Sequence, residues 1–372
     1  MKIFFWLFLF TLAIILIPQS DLLNRISIWN EPGVYRAEIL QIQTIHQPGQ
    51  AVLQAMLACF KNGPHIGKTI RLTHELITAD PSSLSYSPGD WVFIVSRQAK
   101  NGTQFSITGP VRDRGLLVLM GIFIFSLLII GGRQGLRSLI SLSIICLLIF
   151  KVLLPLMAKG YNPLAVSIGI AILATTIALF LVSGFNGKTI ASIIGTICGV
   201  ITASLLTWYF GNVIHLTGCS DETAQLLKYT AMNINFQGML FAGIIIGALG
   251  AITDMTMSIA SAMHEIKNSN PGLGYEALVI QGLKVARDTI GTMTNTLILA
   301  YVGGAFSLML LFISYQTSFA RIINLEEIAA ELLRMLAGSV GLIAAVPVTA
   351  AIAAFTVGND LDSESRPPKV AK

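Results

Sequence analysis

Between Gly238 and Met263 the chain reads GMLFAGIIIGALGAITDMTMSIASAM, an apolar stretch interrupted by one carboxylate, Asp254. Its length suits a bilayer crossing, where an ionised side chain is costly unless something pairs with it or hydrates it. Ser258, Ser261 and Glu265 follow at helical spacing on the face of Asp254, so a polar stripe runs toward one membrane surface. A second polar series opens the next apolar stretch. There Asp288, Thr292 and Asn295 share one helical face, with Arg287 and Lys284 close by. Two adjacent antiparallel helices would bring Asp254, Ser258, Asn295, Thr292 and Asp288 to similar depth.

A carboxylate beside hydroxyls and an amide oxygen suits a proton or a hard cation, which makes this seam a candidate substrate or ion pathway. A structural lock is the plainer alternative, with Asp254 paired to Arg287 or Lys284. An acid pair of Asp254 and Asp288 sharing one proton is the third, although Asp288 lies close to the membrane surface.

Helices must hold these groups, and the composition supplies them. Of 372 residues, 54% are hydrophobic and 12% charged, with mean hydropathy +0.73, whereas a soluble protein carries about 25% charged residues. The chain therefore reads as a polytopic α-helical membrane protein of about eight spans. The first, Ile3–Ile17 behind Lys2, is a signal anchor or signal peptide within residues 1–23; the flank Pro18-Gln19-Ser20-Asp21 lacks a small-x-small cleavage site and favours retention. Further crossings are expected at Leu116–Ile130, Leu136–Met157, Leu164–Val182, Ile190–Phe210, Gly238–Met263, Thr289–Ile313 and Leu336–Val357, within a helical domain of residues 112–358. Residues 359–372 form a tail. The excess of Lys and Arg at Arg133, Arg137, Lys188, Lys267, Lys284 and Arg287 puts those turns, and both termini, on the cytoplasmic side. Lys151, four residues before Pro155, lies near the outer end of its span and snorkels.

Residues 34–111, between spans 1 and 2, read as a small extracytoplasmic β-rich domain. Strand-like runs at Tyr35–Gln43, Gln50–Phe60, Lys68–His74, Trp91–Arg97 and Thr103–Thr108 are separated by turn signals such as Asn62-Gly63-Pro64 and Asn101-Gly102. About five short strands suggest a barrel of the OB or SH3-like kind. In the outer loops, Ser220 is placed to cap an amphipathic helix over Asp221–Met232. Asn324 with Glu327 resembles a capping box ahead of the last span, and Glu331 and Arg334 stand one turn apart where they can pair. The segment Tyr275–Ala286 has the pattern of an interfacial helix. Leu128–Gly135 aligns with Phe180–Gly187, either as a parallel repeat or as two glycine turns.

Several functions find no support. Basic residues are scattered between spans, which argues against a nucleic-acid partner. His264-Glu265 has no second histidine at zincin spacing, and neither GxSxG nor GxxxxGK[ST] occurs, so no enzyme, cofactor or metal site is expected. Of the four cysteines, Cys146 and Cys198 lie in apolar runs; Cys59 and Cys219 fall outside the membrane, where a disulfide is open to them.

Two blocks, GALGAITDMTMSIASAMHEI (Gly247–Ile266) and ARDTIGTMTNTLILAYVGG (Ala286–Gly304), resemble the YibE/F-like membrane protein family. GDWVFI (Gly89–Ile94) and GRQGLRSL (Gly132–Leu139) are similar to its upstream pattern. The resemblance implies a bacterial multi-span protein of the plasma or inner membrane with an N-terminal extracytoplasmic β-rich region. It implies no particular chemistry. The expected function is a transporter or permease of unknown substrate. The alternative is a non-catalytic assembly protein whose residues 34–111 dock an envelope partner.

Overall fold

Alternation of period two builds the first part of the chain. Ala37 and Ile39, Met56, Ala58 and Phe60, and Val92 and Ile94 are buried, while the residues between them face outward. The computed structural model describes residues 33–46, 51–77, 84–99, 102–220, 222–229, 234–316 and 318–364, so the expected anchor at residues 1–23 lies outside them. The chain divides into two compact units, Met1–Gly132 and Arg133–Lys372.

The first unit holds an antiparallel half-barrel of five strands: β1 (Val34–His46), β2 (Ala51–Phe60), β3 (Thr69–Ile77), β4 (Trp91–Ala99) and β5 (Gly102–Pro110). Their order is β3-β2-β1-β4-β5, with β1 central and bulged between Ile39 and Gln41. All five expected strands are present. Arg36, buried here, pairs with Asp113 at 2.6 Å and lies over the Phe93 ring, and its amide donates to Asn62 Oδ1, while its Nε, Asp113 Oδ1 and His74 Nε2 have no hydrogen-bond partner among the described residues. Gln54 clamps the backbone of Tyr86, accepting from its N–H and donating to its carbonyl.

The second unit is helical. Helix α1 (Asp113–Leu148), whose residues up to Gly132 belong to the first unit, leaves helical geometry at Gly132, where φ is 52°. It continues through a π-helical turn, Ile149–Leu153, into α2 (Leu154–Ala158). Pro155 has no N–H to give the preceding turn, a common cause of such local widening. Lys151 lies in that turn and is exposed. Then follow α3 (Pro163–Ser183), α4 (Gly187–Val213), α5 (Glu222–Leu227), α6 (Phe236–Ser269), α7 (Tyr275–Gly304), α8 (Phe306–Ser314), α9 (Phe319–Ile323) and α10 (Glu326–Glu364). The two glycines that the internal alignment pairs, Gly132 and Gly184, both adopt positive φ, 52° and 77°. Only glycine does this without strain.

Helices α4, α6 and α10 form the core. Ile252, Met255, Ile259, Leu342 and Ala345 are essentially without exposure. Backbones touch where α4 meets α10: a Cβ on Gly199 would stand 2.8 Å from the Gly341 carbonyl, and one on Gly341 2.7 Å from that of Gly199. Hydroxyls bridge the same contact zone, Thr196 to Thr256 at 2.8 Å and Ser192 to the Thr256 carbonyl. Such small-residue and hydroxyl pairing joins helices where water supplies no drive.

Among the described residues, five helices are long and apolar enough to cross a membrane, or six if the bent pair α7–α8 is one span. The expected Leu116–Ile130 and Leu136–Met157 fall in one stretch, Gly115–Ala158, interrupted only at Gly132. Three other expectations need correction. Among the described residues the surface helix is Glu222–Leu227 and gives way to a turn at Lys228 and Tyr229; Asp221 and residues 230–233 lie outside them. No capping box forms at Asn324, whose amide donates to the Ala320 carbonyl; α10 starts at Glu326, which instead accepts from the Thr217 and Gly218 amides. Tyr275–Ala286 is no separate interfacial helix but the start of continuous α7, which bends by 59° only at its far end. Glu331 and Arg334 do pair, at 3.6 Å. All four cysteines are free, so Cys59 and Cys219 form no disulfide.

Candidate functional site

Helix α6 is amphipathic in an inverted sense for a membrane span. Its core face carries Ile245, Ile252, Met255, Ile259 and Met263, all buried. On the opposite face Asp254, Ser258 and Glu265 are exposed and Ser261 is half-buried. Asn235 caps its start by accepting from the Gly238 amide. Asp254 lies about 24 Å from Gly238 along the axis, at 1.5 Å per residue.

Asp254 stands at the rim of a groove of about 450 Å³ between α6, α3 and the part of α1 after Gly132, continued by the π turn. Mostly apolar side chains line it, among them Ile145, Ile170, Leu179, Ile246 and Leu249. Five hydroxyl or carboxyl side chains interrupt them: Ser138, Thr175, Ser183, Thr253 and Asp254. Thr253 donates to the Leu249 carbonyl, one turn back, and Ser183 lies 3.7 Å from the Met257 sulfur. Thr175 is different. It is 3% exposed, and its hydroxyl has no hydrogen-bond partner. A buried hydroxyl left unpaired costs about 1–3 kcal/mol, which a ligand or water in the groove would recover.

A second cavity, of about 650 Å³, is lined by α6, α7 and α10 around Tyr301, Glu327, Glu331 and Arg334. The Arg334 guanidinium lies 5.6 Å from the Tyr301 ring centroid. Gly243 borders this cavity, and Gly250 and Asp254 border the first. Gly247 stands between them on the same face of α6, and a Cβ there would come within 2.6 Å of the Tyr301 hydroxyl.

The expected seam is not gathered at one place. Asp288, Thr292 and Asn295 do share one face of α7, and all three, like Arg287, are exposed. The buried face of α7 is another one, Leu278, Gly282, Ala286 and Leu297. None of the four lines the groove that holds Asp254. No ion pair joins Asp254 to Arg287 or Lys284 among the described residues. Sequence reasoning missed the residues that line the groove with Asp254, among them Thr175, Ser183 and Ser138. The Thr175-Thr176 pair inside an apolar run was the available signal. Lys267 was also missed as a structural group: it is buried and donates to the Pro271 and Leu273 carbonyls, closing the turn between α6 and α7. Among the described residues no cluster of three or more His, Cys, Asp or Glu side chains is arranged to hold a metal.

Residues 119–359 match the family model described as YibE/F-like protein, well over half of the chain, and the chain belongs to that family. No curated protein and no solved structure matches it.

Proposed function

We propose that this integral membrane protein is a permease that moves a proton or a small cation, alone or coupled to a solute, past Asp254. The observation that carries the proposal is the Asp254 groove with its unpartnered, buried Thr175 hydroxyl. An acyl chain cannot satisfy either group, whereas a hydrated cation or a proton-carrying water can. The face Gly243–Gly247–Gly250–Asp254 supplies a route from the Tyr301 cavity to the groove, with the Tyr301 hydroxyl over Gly247 as the obstruction. Small residues leave that face open.

The remaining expectations fit this reading as topology. The long stretch Gly115–Ala158 would serve as two crossings turned at Gly132, because 44 residues span about 66 Å, roughly twice a hydrocarbon core. With the N-terminal anchor that gives about eight spans, both termini on the cytoplasmic side of a bacterial plasma membrane. The half-barrel would then be extracytoplasmic. Its strand order, its bulged central β1 and the proximity of β3 to β5 favour an OB-like closure. Exposed Leu40 and Ile45 on β1 favour a role in docking an envelope partner.

The test is flux in liposomes containing the full-length protein, read with a pH-sensitive dye and with a panel of monovalent and divalent cations. Wild type should exceed empty vesicles, and Asp254→Asn should lose most of the difference. Wild-type flux equal to that of empty vesicles for protons and for every cation would overturn the permease reading.

A further inference from the structure

The side of α7 opposite its core face has no described residue against it. On that side lie Gln281, Lys284, Asp288, Gly291 and Asn295, all exposed. They recur at intervals of three and four residues, the spacing of a seam between two parallel helices. None of the four polar side chains makes a hydrogen bond or ion pair with a described residue. Asn295 is about 10 Å beyond Asp288 along the axis, inside the apolar part of the helix. A primary amide there has two donors and an acceptor that lipid cannot answer.

We propose that this seam is covered by the same seam of a second copy, giving a two-fold dimer through α7. The chemistry of the seam selects that occupant. Copies inserted in one membrane with one topology meet around an axis along the membrane normal, so each residue faces itself or its near neighbour in the other chain. Asn295 then meets Asn295, and an amide is its own complement as donor and acceptor. Lys284 of one copy meets Asp288 of the other, one turn away, in both directions.

Gly291 lies between these pairs. A Cβ there would touch no described residue, in contrast to Gly282 on the core face, where a Cβ would stand 2.5 Å from the Met263 sulfur. Intrachain packing thus accounts for Gly282, and close approach of a second α7 accounts for Gly291. Of the other apolar segments, Ile3–Ile17 has one polar side chain, Thr11, and Gly115–Gly132 has Ser126, so neither answers Lys284, Asp288 and Asn295 together. Association through α7 stands independently of what the Asp254 groove carries.

Single cysteines introduced along α7 in a full-length chain whose four native cysteines are replaced, then oxidised in membranes, test the proposal. Disulfide-linked dimer should peak for Lys284→Cys, Asp288→Cys, Gly291→Cys and Asn295→Cys. It should be at least fivefold lower for Ala286→Cys and Met293→Cys. No dimer at any seam position, equal yields on both faces, or a linked product of another mass would overturn it. A second measurement does not depend on tolerance of the core-facing cysteines. Counting subunits in dilute proteoliposomes, Lys284→Asp should weaken association about tenfold, and Lys284→Asp with Asp288→Lys should restore it. A dimer fraction unmoved by the single change, or unrestored by the pair, would also overturn it.

Discussion

Two faces of α6 carry hydroxyls in the same apolar helix, and their fates differ. On the core face Thr256 bonds Thr196, and its carbonyl accepts from Ser192, with glycine-lined backbones of α4 and α10 close by. On the other face Asp254 and Ser258 are exposed, and in the adjoining groove Thr175 is buried without a partner. The first set is satisfied within the chain and acts as packing. The second is not, and a polar group left unsatisfied in a membrane protein points to something that comes and goes. Under the proposed permease reading, satisfaction rather than polarity is what sets the groove apart from the packed face of α6.

The contrast can be broken most severely at the core. Gly341→Leu drives a side chain into the Gly199 backbone and should cost about 3 kcal/mol or more, seen as loss of the monodisperse peak in size-exclusion chromatography. Gly250→Ala, whose Cβ meets nothing, should leave that peak unchanged. The satisfied ion pair of the half-barrel comes next. Arg36→Ala strands Asp113, 16% exposed, and should destabilise that unit by about 3 kcal/mol in denaturant unfolding. Thr256→Val removes one interhelical hydrogen bond and should lower stability by about 1 kcal/mol in the same assay. Asp254→Asn and Thr175→Val should shift stability by less than about 0.5 kcal/mol while reducing flux. A destabilisation by Asp254→Asn as large as that by Thr256→Val would erase the distinction between the two faces.

The smallest effect concerns pH. Burial pushes the Tyr86 hydroxyl above its ordinary value of 10.0, opposed by nearby Arg112 and reinforced by Asp90. A folded-state value above the unfolded one stabilises the half-barrel fully below pH 10 and less as pH rises through the folded value. Tyr86→Phe should flatten the fall in unfolding free energy above pH 10.

Much of this was legible in the chain itself. The five strands follow from alternation and turn residues, and the membrane helices from apolar length; both signals are local. Asp254 was legible too, since a carboxylate in such a run must be paired, protonated or hydrated. Its surroundings were not. Helical spacing fixes which residues share a face of α6 or α7, but it does not say which neighbour that face meets. The expected seam set Asp254 opposite Asp288, Thr292 and Asn295, whereas the groove it lines is shared with Thr175, Ser183 and Ser138 from helices more than seventy residues earlier.

Cap and bend errors have the same origin. Asn324 has the right spacing for a capping box, yet Glu326 begins α10 because the Thr217 and Gly218 amides need its carboxylate. Sequence alone determined that this chain has several membrane-length apolar helices, a β-rich unit and a carboxylate within one of those helices, because apolar length and periodicity are properties of a segment. Tertiary structure decided which polar groups are answered among the described residues and which are not, because satisfying a hydrogen bond takes two residues in contact and their rotation about separate helix axes.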